Sequence, residues 1–375
     1  MPSLYKFIPD SFWLQNKAKI DQWMSQQYSG LIPPVYCSID VRSAGFKTAH
    51  VDANLFPAGF NNIHSSKTAS VTESFDSYIS RNFPSTAKIL IITEDFTRNL
   101  HYLKNVSNLI SLLNVEGREC RSSPINQRLV NKEGIIYADG WQPDLILLNC
   151  DLSSGIPQVL RETTQVIIPS PHLGWHSRSK YKHFLSFQKL IDNFSQYLGI
   201  DSWLLSTYYD LSSDVDFKQK IGLDDLASKT DKILSLTRDK YQQYGISEHP
   251  HVFVKSDHGT FGAGIMTATS GDDILNINKK NRHTMQTINH GIVNSSLLVQ
   301  EGVPTSLDIF GAAEYAYYLI GGKAQFRILR QNSSKDKFGN LNSKGMQLTA
   351  DADMPYGIEC ILAEIAALAT LFEPL

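Results

Sequence analysis

Two runs in the first half of the chain, residues 88–93 (KILIIT) and 144–149 (DLILLN), are apolar at nearly every position. A strand with one face in water alternates apolar and polar residues. An unbroken run belongs to a strand covered on both faces, as in a parallel sheet between helices. Residues 35–39 and 165–168 read as further strands of this kind. Between them, residues 97–114 show helical spacing through Leu100, Leu103, Val106, Leu109, Ile110 and Leu113. The expectation is an α/β lobe from the N-terminus to about residue 170.

The pattern changes at residues 169–175 (PSPHLGW), where prolines and a glycine mark a boundary. Helices are expected at 181–198 and 224–244, the second stopped by Gly245. From His251 the character is strand: HVFVK, GIMTAT and SLLVQE, then the hairpin AEYAYYLIGGKAQFRILR with Gly321 and Gly322 as a primed two-residue turn. Residues 356–372 are apolar at helical spacing. The fold class is α/β plus α+β: an N-terminal α/β lobe (1–170), a central helical subdomain (171–250) and a C-terminal, antiparallel-rich subdomain (251–375).

A chain of 375 residues is long enough for two or three lobes. Its net charge of −2 argues against a broad surface for nucleic acid or anionic membrane. No run reaches the ~18 apolar residues of a spanning helix, and the N-terminus has no signal-peptide pattern. Cys37, Cys120, Cys150 and Cys360 lie far apart without a CxxC pair, as expected of reduced thiols in a cytoplasmic protein. Three histidines, His172, His176 and His183, have no carboxylate pattern that would make them a zinc site.

The chemistry concentrates in VFVKSDHGTFGAGI, residues 252–265. A strand delivers Lys255, and Gly259, Gly262 and Gly264 then let backbone N–H groups approach phosphate oxygens. The GxxxxGK[ST] spacing is absent and a strand follows, so this is neither a Walker loop nor a dinucleotide fingerprint. Further on, LLVQE runs into Gly302, Val303 and Pro304, an open backbone suited to reading a purine edge. Glu314, Arg327, Arg330, Asn340 and Asn342 follow; the oxygen donors suit Mg²⁺ and the arginines a transferring phosphoryl group.

Strand, lysine, glycine loop, hinge strand and polar hairpin occur in this order in ATP-grasp ligases. The words VDANLFPAGFNN, EDFTRNLHYL, LLNCDLSSGIP, HLGWHSRSKYKHF, VKSDHGTFGAGIMT, VQEGVPT and GNLNSKGM run through most of the chain. In them it resembles the bacterial glutamate–cysteine ligases built on a glutathione-synthetase-like ATP-grasp fold. The resemblance implies ATP and Mg²⁺ as cofactors, glutamate and cysteine as substrates, and an amide bond formed through an acyl phosphate. It implies Lys255 and Lys180 (or its neighbour Lys182) on the ATP phosphates, and Gln300, Glu301 and Val303 around the adenine. Arg327, with a catalytic role, and Asn342 would face phosphate or Mg²⁺. Arg42, Asp52, Asn54, Asn61, Asn62, Arg98 and Asn99 would line the amino-acid site. The late strand with an E-x-N motif found in many such enzymes is not seen, which leaves Glu314, Asn340 and Asn342 for the metal. Glutathione synthetase or another ATP-grasp amino-acid ligase, and a non-catalytic nucleotide-binding homologue, stand as alternatives. A homo-oligomer is compatible with the sequence, and neither nucleic acid nor membrane is expected as a partner.

Overall fold

Residues 7–95, 98–125, 128–259, 264–278, 281–282, 285, 295–305 and 311–374 are described by the computed structural model, and statements of absence below refer to these. Helices α1 (Asp10–Gln15) and α2 (Lys17–Gln27) lead into a hairpin of β1 (Tyr36–Ser43) and β2 (Thr48–Asn54). Then come α3 (Thr68–Asn82), β3 (Lys88–Thr93), α4 (Leu100–Leu113) and β4 (Glu119–Pro124). A small hairpin of β5 (Leu129–Lys132) and β6 (Ile135–Ala138) precedes β7 (Leu145–Asn149) and β8 (Val166–Ile168). Strands β4, β3, β7 and β8 form a parallel sheet in that order. Every residue of β7 is buried, as is all of β3 after Lys88, which is why those runs carry no alternation.

The second part begins with α5 (Lys180–Leu198). Its first turn is capped by Ser179, whose hydroxyl accepts the Lys182 N–H, and it stops at the left-handed Gly199. Next are β9 (Tyr209–Ser212), α6 (Leu223–Gln243), β10 (Val252–Ser256), β11 (Ile265–Ala268), α7 (Gly271–Leu275) and β12 (Leu297–Glu301). These strands make an antiparallel sheet in the order β11, β10, β12, β9, with α6 packed on one face.

The last elements are β13 (Ala312–Ile320), β14 (Lys323–Asn332), β15 (Gln347–Ala350) and α8 (Ile358–Ala369). Gly321 and Gly322 both have positive φ, 57° and 74°, the primed turn that the hairpin requires. These strands join the first hairpin in an antiparallel sheet of order β15, β14, β13, β1, β2. Here the structure differs from expectation: β1 pairs with β13, not with the parallel sheet. Its apolar character has another cause, since α8 covers one face of this sheet and α3 packs against the other. A run covered on both faces does not say which way its neighbour runs.

Candidate active site

Between the two antiparallel sheets lies a cleft of about 680 Å³, open to solvent. Strand alternation decides what reaches it. On β10, Val252 and Val254 pack into the core beneath α6, so Phe253 and Lys255 face the cleft. β12 pairs Gln300 with Phe253, placing Gln300 on the same face and sending Glu301 to the other. The five-stranded sheet contributes Asp40, Arg42, Asp52, Glu314 and Arg330. Lys180 enters from the first turn of α5, Gly259 from the loop after β10, and Asn340 and Asn342 from the loop after β14. An adjoining cavity of about 870 Å³ is lined by Asn54, Ala58, Trp175, Tyr318 and Met346 among others. Asp40, Asp52, Arg330 and Asn342 line both spaces.

Four cations and three carboxylates face the cleft. Lys180 Nζ meets Asp52 Oδ1 at 2.8 Å and lies 4.2 Å from the Trp175 ring. Burial opposes ionisation of Asp52, but Lys180 and Lys255 overcome it and hold its carboxyl well below the usual range. Lys255 makes no close ion pair among the described residues, and Asp52 acts on it only from a distance; its Nζ donates to the Val51 carbonyl at 2.7 Å. Burial therefore dominates and pulls its pKa from 10.5 to about 8. Glu314 is held by two arginines, Arg42 Nε at 2.6 Å and Arg330 Nη1 at 2.5 Å. The second acid on Arg330 is Asp40, at 2.6 Å. Even so, Arg42 Nη1 and Arg330 Nε are buried without an acceptor among the described residues.

The cleft thus brings together Lys180, Lys255, Gly259, Gln300, Arg42, Asp52, Glu314, Asn340 and Asn342, while Asn54 reaches the adjoining cavity. Other expected residues stand elsewhere. Arg327 lies on the opposite face of β14, stacked on Tyr315 and bonded to Asp351 and the Tyr317 hydroxyl beneath α8. It stands three positions before Arg330, and an odd step along a strand changes face. Glu301 is fully engaged by Lys47 at 2.7 Å, the Trp203 indole N–H and the Tyr208 N–H, so its side chain does not frame a base. Val303 is buried outside both cavities, and Gly264, with φ of 68°, opens β11 without lining either. Gly262 falls outside the described residues. Asn61 and Asn62 bond each other within a 3₁₀ turn, Asn99 caps α4 by accepting the Tyr102 N–H, and Arg98 is exposed.

The expected metal set does not fit as it stands. Both Glu314 oxygens are taken by arginines, and Asn340 Oδ1 accepts the Asn342 N–H. Among the described residues no three His, Cys, Asp or Glu side chains gather as a metal cage. Asp40 is the cleft position that sequence reasoning missed, while Arg330 was named for a phosphoryl group but only Arg327 was given a catalytic role. The signal was alternation in CSIDVRS, where Asp40 stands two residues before Arg42.

The family model for glutamate-cysteine ligase (GshA) matches residues 10–365. A proposed gamma-glutamylcysteine synthetase from Methylobacillus flagellatus KT is 31% identical, with a TM-score of 0.89 over 97% of this chain and 95% of that one. D-cycloserine synthetase is 12% identical, with a TM-score of 0.42 over 76% of this chain and 81% of that one, too slight a likeness to decide anything. No curated protein matches in sequence. With the family match running from α1 into α8, through both sheets that line the cleft, the chain belongs to the glutamate–cysteine ligase family.

Proposed function

We propose that ATP occupies the cleft, with its phosphates toward Lys180, Lys255, Arg42 and Arg330, and that glutamate and cysteine occupy the adjoining cavity. The observation that carries this reading is the seam: Asp40, Asp52, Arg330 and Asn342 line both spaces, so phosphate and carboxylate would meet there. Phe253, Ile265 and Gln300 give the far end an apolar wall and an amide for the base.

At the seam a γ-carboxylate oxygen of glutamate attacks the γ-phosphorus of ATP, the bond to ADP breaks, and an acyl phosphate forms. The cysteine amine, having lost a proton, attacks the acyl carbon; phosphate leaves and γ-glutamylcysteine remains. The chain's share is alignment and charge. Lys180 and Lys255 neutralise phosphate oxygens, and the open donors on Arg42 and Arg330 take the charge that moves outward during transfer. Mg²⁺ accompanies ATP in solution, and Glu314 does not fit as its ligand while both of its oxygens are held by arginines. Four buried free cysteines suit the reducing cytoplasm, and among the described residues no helix is long and apolar enough to cross a membrane.

The test is ADP release from ATP with glutamate alone, with glutamate plus cysteine, and with γ-glutamylcysteine plus glycine. Release that needs glutamate and cysteine together supports the reading. Release only with γ-glutamylcysteine and glycine moves the substrates to those of glutathione synthetase. ATP binding without release under any pair supports a non-catalytic homologue.

A further inference from the structure

Beneath the Lys180–Asp52 pair lies a buried ion pair that the reaction as written does not use. Arg178 donates to Glu373 through both Nε (2.8 Å) and Nη2 (2.7 Å), a bidentate fork in which both side chains are at most 3% exposed. The same arginine donates through Nη1 to the carbonyl of Ala53 at 2.6 Å, the residue next to Asp52. Its own carbonyl accepts from His258 Nδ1 at 2.7 Å, at the root of the glycine loop. Two residues on, the Lys180 N–H donates to the Asp257 carbonyl at 2.9 Å. Arg178 therefore joins β2, the first turn of α5 and the loop after β10, the elements that carry Asp52, Lys180 and Gly259.

Glu373 holds this hub from below. It follows the 3₁₀ turn Thr370–Phe372, which is tied to α5 by the Ser186 hydroxyl on the Phe372 carbonyl. One of its oxygens also meets His183 Nδ1 at 2.7 Å. With that nitrogen donating, His183 Nε2 accepts from His50 Nε2 at 3.2 Å, so both rings are fixed under β2. Burial works against the Glu373 charge, but Arg178 overcomes it and brings the carboxyl down to about 2. Asp52 is near enough for its charge to act on Arg178. Without Glu373, a buried guanidinium would turn to that nearby carboxylate and compete with Lys180 for it.

We propose that Glu373, acting through Arg178, is a positioning residue for phosphoryl transfer: it keeps Asp52 on Lys180 and Lys180 against the root of the glycine loop. This rests on the functional reading above. The experiment measures ADP release by the full chain in wild type, Glu373→Gln, Arg178→Lys and the double variant, with urea unfolding alongside. Glu373→Gln should lower kcat about 10- to 100-fold, the scale of a misplacement of about 1 Å. The KM for ATP should stay within about threefold, and unfolding should remain a single transition. Arg178→Lys keeps the charge but loses the fork, and should behave alike. The double variant should be no slower than the slower single one, because the two act as a unit. A kcat within twofold of wild type, a loss explained by the unfolded fraction, or multiplied effects in the double variant would overturn the proposal. If Glu373→Gln does not fold, Arg178→Lys is read by the same criteria. A wild type that turns over γ-glutamylcysteine and glycine instead overturns only the substrate assignment, and the clamp is then read on that reaction. A wild type with no turnover overturns both.

Discussion

Lys255 shows what burial does to a phosphate-binding group before the phosphate arrives. Its ammonium is held by a carbonyl and no carboxylate, and its pKa falls to about 8. Between that value and 10.5 the unfolded chain binds more protons than the folded one, so this lysine makes stability rise with pH across that window. An incoming polyanion favours the charged form. ATP binding near pH 8 should therefore take up a fraction of a proton, read by calorimetry in buffers of different ionisation enthalpy. Lys255→Ala should abolish the uptake and turnover while the fold persists; near-normal turnover in that variant would remove Lys255 from the mechanism. Glu301 should behave otherwise. Glu301→Ala leaves the Lys47 amine without its partner in the interior, where burial already pulls its pKa down, and should cost about 3–5 kcal/mol in urea unfolding. The sequence word around Lys255 made that residue legible, because lysine and glycines are adjacent in the chain. The partner of Glu301 lies 254 residues away, beyond the reach of any local pattern.

At the scale of the element, parity explains most of what was legible and what was not. The hairpin of β13 and β14, its turn and its strands were readable from alternating stiff residues around two glycines. Which arginine faced the cleft was not, because every position of β13 is buried and gives no wet face to count from. The pairing of Glu314 with Arg330, and of Tyr317 with Arg327, settles it. Arg330→Lys keeps the charge but loses the planar fork, and should lower kcat by about 100-fold. Arg327→Lys should lower the unfolding free energy instead, since it loosens contacts to Asp351 and Tyr317 under α8, with kcat of the folded enzyme unchanged. Equal losses of kcat from both variants would contradict the two-faced placement. Asn99 makes the same point for a helix: the resemblance implies a ligand group there, and the structure shows an end cap before an apolar stripe.

For the whole molecule, the walls of the cleft come from residues as far apart as Asp40 and Asn342. The buried strands β3 and β7 and the hairpin of β13 and β14 were legible in the sequence, but the joining of N-terminal and C-terminal strands in one sheet was not, since only tertiary packing pairs β1 with β13. Because both sheets line the cleft proposed for ATP, the nucleotide should stabilise the chain as one unit. At a concentration a hundredfold above its Kd, the gain should be about 2.7 kcal/mol. Denaturant unfolding followed by tryptophan fluorescence and by circular dichroism should shift together. A nucleotide that moves only one of two separate transitions would show that the halves unfold independently.

The partnership of β1 with β13 also bears on how the chain is made. Arg42 and Glu314 are 272 residues apart, and at about 5–20 residues per second a ribosome needs roughly 15–50 s to make that stretch. Throughout that wait the nascent hairpin of β1 and β2 has an open edge and one uncovered apolar face, that of Cys37, Ile39 and Val41, because α8 is made later still. An unfinished chain of this kind is prone to pair with its neighbours on the same messenger, so the yield of native protein should depend on translation speed and on chaperones that shield the first hairpin until the last third emerges.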